Sequence, residues 1–200
     1  KSKYPFLALS LYNFIPSCQI CNSRFKGDYD EDKPIIYPYE EEFGDFAKFS
    51  TNFYMDEANG EKNYDVRYLL GMSDNFKINL NTYEDKIENH FLFKKIEEHK
   101  DINIDEEVKE YIDKIKNSKN LFRLKELYNF HKDYVRELIK KAIIYNESRI
   151  DELYTQYPEL FSSREEVLQM VVSNYICDED LGKRPLSKLT KDICDELGLR

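Results

Sequence analysis

Long apolar runs are missing from this chain. The longest stretches, such as Phe6 to Leu11, fall well short of the roughly 18 residues that a membrane-spanning helix requires. A charged-then-apolar leader is missing too, and the sequence opens at Lys1 without an initiator methionine, so nothing in it is typical of a signal peptide. We therefore expect a soluble protein without membrane contact, and a fragment of a longer chain.

Cysteine is scarce, and its distribution limits the redox chemistry available. The chain has four cysteines, of which Cys18 and Cys21 form a CxxC pair, whereas Cys177 and Cys194 lie far away and are not spaced as a pair. Without a secretory leader, this pattern fits a reducing compartment and metal ligation better than a disulfide framework. The expected location is the cytoplasm.

Acidic residues are absent from the first 27 residues, although the chain as a whole carries a net charge of -9. That segment holds four cations and has a local charge of +4; they are Lys1, Lys3, Arg24 and Lys26. An acidic surface repels DNA, so a nucleic acid, most simply DNA, is expected to contact this basic head and a protein partner the acidic remainder. The alternative is that four cations near a terminus are ordinary surface.

The composition is sufficient for folding. With 41% hydrophobic and 14% aromatic residues, the 200-residue chain can form one core of moderate size or two small units. The residue patterns are typical of strands in some segments and of helices in most others, which predicts an α+β, predominantly helical protein. The expected parts are a basic head with a proline-bearing acidic connector (1–45), a region of short antiparallel strands (46–82) and a helical body (83–200).

Strands are predicted where aromatic and β-branched residues lie between chain breakers. The predicted strands are Ala47 to Tyr54, Asp65 to Leu70 and Phe76 to Leu80. In the head, Pro5 can start a short helix through Leu11, and a second helix is expected to begin near Ser17 or Cys18.

Helical spacing of apolar residues dominates after Tyr83. It predicts one helix around residues 87–96, a second around 108–115 and a long third one across 124–143. Ser163-Arg164-Glu165-Glu166 matches a capping box and predicts the start of a fourth. The last predicted helix begins near Pro185 or Leu186 and runs to Leu197, with Gly198 as its stop.

The CxxC pair predicts a zinc site. A turn between two cysteines brings both thiolates to one ion, but tetrahedral zinc needs four ligands, so Cys18 and Cys21 supply half of the set. A redox pair is a less favoured alternative, because no thioredoxin-like strand-to-helix context surrounds it. Two thiols packed as small apolar groups are another.

Residues 13–26 resemble the second half of the HNH endonuclease motif, which has a treble-clef or ββα-metal scaffold. They present an asparagine, a short hydrophobic link, the CxxC pair, and then Asn22 and Lys26 on the following helix. The opening Lys1-Ser2-Lys3-Tyr4-Pro5 is similar to the segment after the Asp-His strand in bacterial HNH proteins. The resemblance covers roughly the first 27 residues.

This resemblance implies a role for each residue. Asn13 would brace the loop that presents the catalytic histidine, and Asn22 would be an oxygen ligand of a catalytic Mg or Mn ion. Cys18 and Cys21 would be half of a structural zinc site, and Lys26 would lie near the phosphate path. The family's Asp-His pair has no counterpart here.

Histidine is the missing catalytic group. The three histidines, His90, His99 and His131, all lie in the expected helical body. His131 falls on the apolar stripe of the third predicted helix, which favours a packed residue over a ligand. An HNH nuclease needs its histidine to activate water, so these 200 residues are predicted to be inactive although the full-length protein would cut phosphodiester bonds.

The C-terminal half has a second, longer resemblance. Tyr128 to His131, Lys140 to Tyr145 and Arg184 to Ile193 resemble the C-terminal region of bacterial HNH proteins encoded beside AAA-type or ABC-type ATPases, as in Septu-like and retron-linked anti-phage systems. This implies antiviral defence, with the acidic helices docking on an ATPase.

Two other classes stay open. The chain can be a non-catalytic, zinc-stabilised adaptor whose helical body binds a partner. It can also be a helical interaction module whose CxxC binds nothing. The HNH interpretation instead requires an upstream CxxC together with an Asp-His pair just before Lys1.

Overall fold

A computed structural model describes residues 15, 17–28, 32–53, 55–56, 63–64, 66–82 and 106–199. These residues form two compact units. The described residues within 1–46 and 103–124 make up the head unit, and those within 47–102 and 125–200 the body unit. The first unit boundary lies between residues 46 and 47, and the helix after residue 105 belongs with the N-terminal segment.

The head unit contains the helix predicted after Ser17, and most of it is a π-helix. Asn22 N–H donates to Cys18 O at 3.0 Å, and a π-helix follows at Ile20–Phe25. A 3₁₀ turn at Lys26–Asp28 ends the segment. The predicted Pro5 to Leu11 helix lies outside the described residues.

The connector lies against α1 (Glu106–Leu121) within the head unit. Ile36 N–H donates to Ser118 Oγ at 2.9 Å, and Asn117 Nδ2 donates to Pro34 O at 3.0 Å. Lys114 forms an ion pair of 2.7 Å with Glu41. The acidic, proline-bearing segment therefore takes its backbone hydrogen bonds from α1 side chains, since Pro34 and Pro38 exclude regular secondary structure.

The body unit contains a two-stranded antiparallel sheet. It pairs β1 (Ala47–Phe53) with β4 (Phe76–Thr82), and Phe49 faces Leu80 while Thr51 faces Ile78. A second, smaller pair joins β2 (Met55–Asp56) to β3 (Asn63–Tyr64). Two of the predicted strands are thus confirmed, as is their antiparallel arrangement.

Helices account for most of the remaining described residues. They are α2 (Leu124–Tyr128), α3 (Lys132–Ile144), α4 (Glu147–Gln156), α5 (Arg164–Val172) and α6 (Ser187–Leu197), with 3₁₀ turns at Gly44–Phe46, Val66–Leu70, Asn129–His131 and Asp178–Lys183. Leu138, Ile150, Val167 and Ile193 are buried in the body unit. The fold is α+β and predominantly helical, as predicted. Among the described residues, no helix combines the length and apolarity needed to cross a membrane.

The strand predicted for Asp65 to Leu70 is wrong: Val66–Leu70 is a 3₁₀ helix. Gly71 N–H donates to Tyr68 O at 2.8 Å, and Gly71 has a φ of 63°. A Cβ on Gly71 would lie 2.5 Å from Lys140 Cγ, so the turn packs closely on α3. Tertiary packing of the turn overrides the strand propensity of its residues.

The long helix predicted across 124–143 is interrupted. Asn129 leaves the helical repeat, and its side chain pairs with the outer edge of β4: Asn129 Oδ1 accepts from Ile78 N–H at 3.0 Å and Nδ2 donates to Ile78 O at 2.7 Å. The 3₁₀ turn Asn129–His131 therefore separates α2 from α3. The helix predicted around 87–96 lies outside the described residues.

The other edge of the sheet is closed by α6. Asp192 Oδ2 accepts from Phe49 N–H at 2.9 Å, and Glu196 accepts from Thr51 N–H at 2.9 Å and from Thr51 Oγ1 at 2.9 Å. Two carboxylates one helical turn apart thus meet two N–H groups two residues apart on the strand. Occupied edges of this kind prevent pairing with another chain.

Candidate metal and nucleic-acid site

The CxxC pair lies at the start of the π-helix, with Cys18 just before it and Cys21 in its first turn. Cys21 N–H donates to Cys18 Sγ at 3.4 Å, while Cys18 O accepts from Asn22 N–H. Cys18 is exposed and Cys21 is half-buried, and both are free thiols. This turn brings the two cysteines together, as their spacing predicted.

The two thiols differ in acidity. The backbone N–H of Cys21, and then its side chain, lower the pKa of the Cys18 thiol. Burial, followed by the neighbouring Cys18, raises the pKa of the Cys21 thiol. Cys18 is therefore the first of the pair to become a thiolate, the form in which cysteine reacts and binds metals.

The described residues supply only part of a metal site. No group of three or more His, Cys, Asp or Glu side chains in the described ranges is arranged to hold an ion. Zinc in structural sites has four protein ligands, so the Cys18 and Cys21 pair needs two more. The donor set present fits zinc in type and is incomplete in number.

Asn22 and Lys26 follow the cysteine pair and are both exposed. They lie four residues apart, close to one helical turn, and Lys26 N–H caps the π-helix on Cys21 O. Asn13 lies outside the described residues, so its predicted bracing role stays a prediction. An amide oxygen and an ammonium group are thus held near the cysteine turn.

A cation that sequence reasoning did not select lies beside this segment. The Arg123 guanidinium carbon is 5.6 Å from the centroid of the Phe25 ring, within the head unit. Arg123 comes just after α1, far along the chain from the CxxC pair. Its charge alone does not distinguish it from the many other Lys and Arg residues, so the sequence carries no signal for this contact.

The remaining cysteines and His131 lie in the body unit. Cys194 is buried, which raises the pKa of its thiol to about 12. Cys177 Sγ accepts from Gln169 Nε2 at 3.3 Å. His131 is half-buried, and its ring is at the edge of Tyr128, 6.3 Å between centroids. These side chains pack against neighbouring residues of the body unit, and for His131 this agrees with the interpretation as a packed residue and not a ligand.

Two acidic runs, Glu40-Glu41-Glu42 and Asp178-Glu179-Asp180, each contain carboxylates that are paired with lysines. Lys114 beside Glu41 lowers the pKa of the Glu41 carboxyl. In the other run, Lys191 bonds to Asp178, and Asp180 pairs with Lys183 at 2.6 Å. Ion pairing at the surface accounts for these carboxylates without a bound metal.

Comparisons with protein-family models, with curated proteins and with solved structures find no match to this chain. Its function is therefore inferred from the residues themselves.

Proposed function

We propose that this chain is part of a metal-dependent HNH endonuclease that hydrolyses DNA, and that the Asp-His pair of its catalytic site lies outside these 200 residues. The observation that carries the proposal is the cysteine turn, in which Cys21 N–H donates to Cys18 Sγ at the start of a helix bearing Asn22 and Lys26.

The cysteine turn supports a structural zinc site. An N–H group aimed at sulfur stabilises the negative charge that sulfur carries as a metal ligand, in the way that N–H bonds stabilise other anions. Cys18 and Cys21 would be two ligands of a zinc ion that holds the head together. With half of the ligands elsewhere, this site would contribute to the folding of the complete protein more than to that of the chain alone.

Asn22 and Lys26 support phosphodiester chemistry next to the zinc. An Mg or Mn ion held partly by the Asn22 amide oxygen would supply Lewis-acid stabilisation of the phosphate. Lys26, four residues further on, would attract the phosphate backbone without binding the metal, because an ammonium group only donates.

The surface of the body unit supports a protein partner. Several large apolar side chains are exposed on it: Phe130 (81% exposed), Ile144 (64%), Leu160 (65%) and Met170 (54%). A contiguous patch of exposed apolar groups is typical of a docking surface, and the proposal requires that these side chains share one. The proposed partner is an AAA-type or ABC-type ATPase in a cytoplasmic anti-phage system, which would restrain the nuclease until it is activated.

The test uses the full-length protein, in which the proposal requires an Asp-His pair before the residue equivalent to Lys1. We expect one structural zinc per chain by elemental analysis and cleavage of plasmid DNA with Mg or Mn. Asn22→Ala should abolish cleavage and retain zinc. Cys18→Ser should lose zinc, whereas Cys177→Ser, a cysteine of the body unit, is the matched control and should keep both zinc and activity.

Other outcomes would select the alternatives. Bound zinc without cleavage, in a protein that lacks the Asp-His pair, would establish a zinc-stabilised adaptor. A full-length protein without zinc and without cleavage would establish a helical interaction module. Failure to co-purify with the neighbouring ATPase, when both are intact, would remove the proposed partner and leave the nuclease proposal standing.

A further inference from the structure

Phe25 of the head unit is flanked in sequence by two exposed cations, and its ring is contacted by a third. Arg24 and Lys26 are its neighbours in sequence, and Arg123 reaches its ring from the end of α1, with 5.6 Å between the guanidinium carbon and the ring centroid. We call these three residues the Phe25 cation cluster. Two distant segments of the chain thus contribute positive charge to one part of the head unit.

The cations of the cluster differ from other cations along α1. Lys114 is paired with Glu41 at 2.7 Å, and Lys116 lies 3.8 Å from Asp113. Within the described residues, no carboxylate forms an ion pair with a member of the cluster. All three members of the cluster are exposed, so an external anion can reach them.

The backbone of Arg123 has a left-handed conformation. Arg123 follows the last turn of α1, its N–H donates to Asn120 O at 3.2 Å, and its φ is 49°. Glycine is the usual residue in this conformation, which is unfavourable for other residues. Stacking of the Arg123 guanidinium over the Phe25 ring is a favourable side-chain interaction that opposes this cost.

We infer that Arg123 completes a phosphate-binding surface with Arg24 and Lys26, and that its ligand is the backbone of a nucleic acid. Arginine presents a planar fork of N–H donors that matches phosphate oxygens, and the ring of Phe25 holds that fork in place. The inference rests on the proposed function, because it extends the nucleic-acid contact of the same head to a residue outside the motif.

The salt dependence of DNA binding tests the inference. The chain, 200 residues long, is titrated with a fluorescein-labelled DNA duplex of mixed sequence, by anisotropy, at several salt concentrations. Arg123→Gly should reduce the slope of log K against log salt by about 0.9, the value for one phosphate contact, and weaken binding roughly three- to tenfold. Its melting temperature should be unchanged or higher, because glycine relieves the backbone cost. Arg123→Lys should keep most of the slope.

Lys109→Ala is the matched control. Lys109 is an exposed cation near the start of α1, roughly 20 Å from Arg123 along the helix. That distance exceeds the Debye length of about 10 Å at 0.1 M salt, so its removal should leave the slope unchanged.

The outcomes separate the two proposals. Salt-dependent binding with the same slope for Arg123→Gly overturns the inference and leaves the proposed function intact. An equal loss for Lys109→Ala also overturns it, because the effect would then be a diffuse charge effect. If poly-glutamate at equal charge displaces the DNA, the surface binds any polyanion, and the inference of a nucleic-acid ligand is overturned. Wild-type chain that shows no salt-dependent binding contradicts the nucleic-acid contact of the head itself.

Discussion

The contact between α6 and β1 predicts that the body unit is more stable at mildly acidic pH than at alkaline pH. Glu196 accepts two hydrogen bonds from Thr51 while largely buried, and burial raises the pKa of its carboxyl to about 7. Asp192, one turn earlier on α6, adds negative charge nearby, and burial raises its pKa as well, against the opposing effect of Lys188. Tyr68 also faces Glu196, and the burial of the ring, followed by the charge of Glu196, raises the pKa of Tyr68 to about 12.

The sign follows from proton binding. In the unfolded chain the Glu196 carboxyl has an ordinary pKa of 4.5, so between that value and about 7 the folded state holds a proton that the unfolded state releases. The stabilisation is fully present below the unfolded pKa and is lost as pH rises through the folded pKa. The difference between the two pKa values corresponds to about 3 kcal/mol.

Glu196→Gln isolates this effect. Glutamine keeps an oxygen that can accept from Thr51 N–H, but its side chain cannot ionise. The variant should therefore lose the pH dependence of stability that Glu196 causes between pH 5 and pH 8. Urea denaturation should show wild type and variant of similar stability near pH 5, and the variant more stable by up to about 3 kcal/mol near pH 8.

Glu196→Gln leaves every other titratable group in place, so the contributions of those groups are common to both proteins and cancel in the comparison. Glu152→Gln, which removes an exposed carboxylate paired with Arg149, is the control and should change stability by less than about 1 kcal/mol at either pH. Identical pH profiles for wild type and Glu196→Gln would refute the role of burial.

Two further predictions concern the sheet and its neighbouring turn. Gly71→Ala should destabilise the body unit by about 2 kcal/mol in denaturation experiments, because a Cβ would meet Lys140 at 2.5 Å and the φ is positive, whereas Gly182→Ala meets no atom within 4 Å and should be nearly neutral. Equal effects of the two would contradict the close packing. Asn129→Ala should cost about 1–3 kcal/mol and increase hydrogen exchange of the Ile78 amide, because both backbone groups of Ile78 lose their partner. An unchanged exchange rate would refute the proposed edge contact.

Local signals in the sequence predicted several helix ends correctly. Ser163 Oγ accepts from Glu166 N–H at 3.2 Å, as the capping box required, although Glu166 reaches the N–H of Ser162 and not that of Ser163. Gly198 ends α6 with a φ of 71°. These contacts join residues a few positions apart, so the local sequence contains both partners.

One helix was missed. α4 was not predicted, although Asn146 caps it by accepting from Arg149 N–H at 3.0 Å and Ile150 is buried. An asparagine cap before an isolated buried residue was a signal too weak to stand out beside the longer apolar stripes. The Val66–Leu70 turn shows the opposite error, since β-branched and aromatic residues there favoured a strand that has no partner in the described part of the body unit.

Only part of the candidate site could be predicted from the sequence. Its CxxC pair and the residues after it were predictable, because a turn of fixed spacing brings Cys18 and Cys21 together whatever surrounds it. Arg123 was not predictable, because its position over Phe25 depends on how the end of α1 lies against the head segment. Contacts of that kind carry no signature in a single sequence.

The sequence by itself determined the helical and extended character of most segments, the start of α5, the end of α6 and the local cysteine turn, because neighbouring residues are enough to stabilise each of these. Only the tertiary structure decided that Asp192 and Glu196 meet the edge of β1, that Asn129 closes the edge of β4, and that Arg123 lies over Phe25. The physical reason is that a buried carboxylate or a stacked guanidinium acquires its energy from partners that only folding brings within a few ångströms.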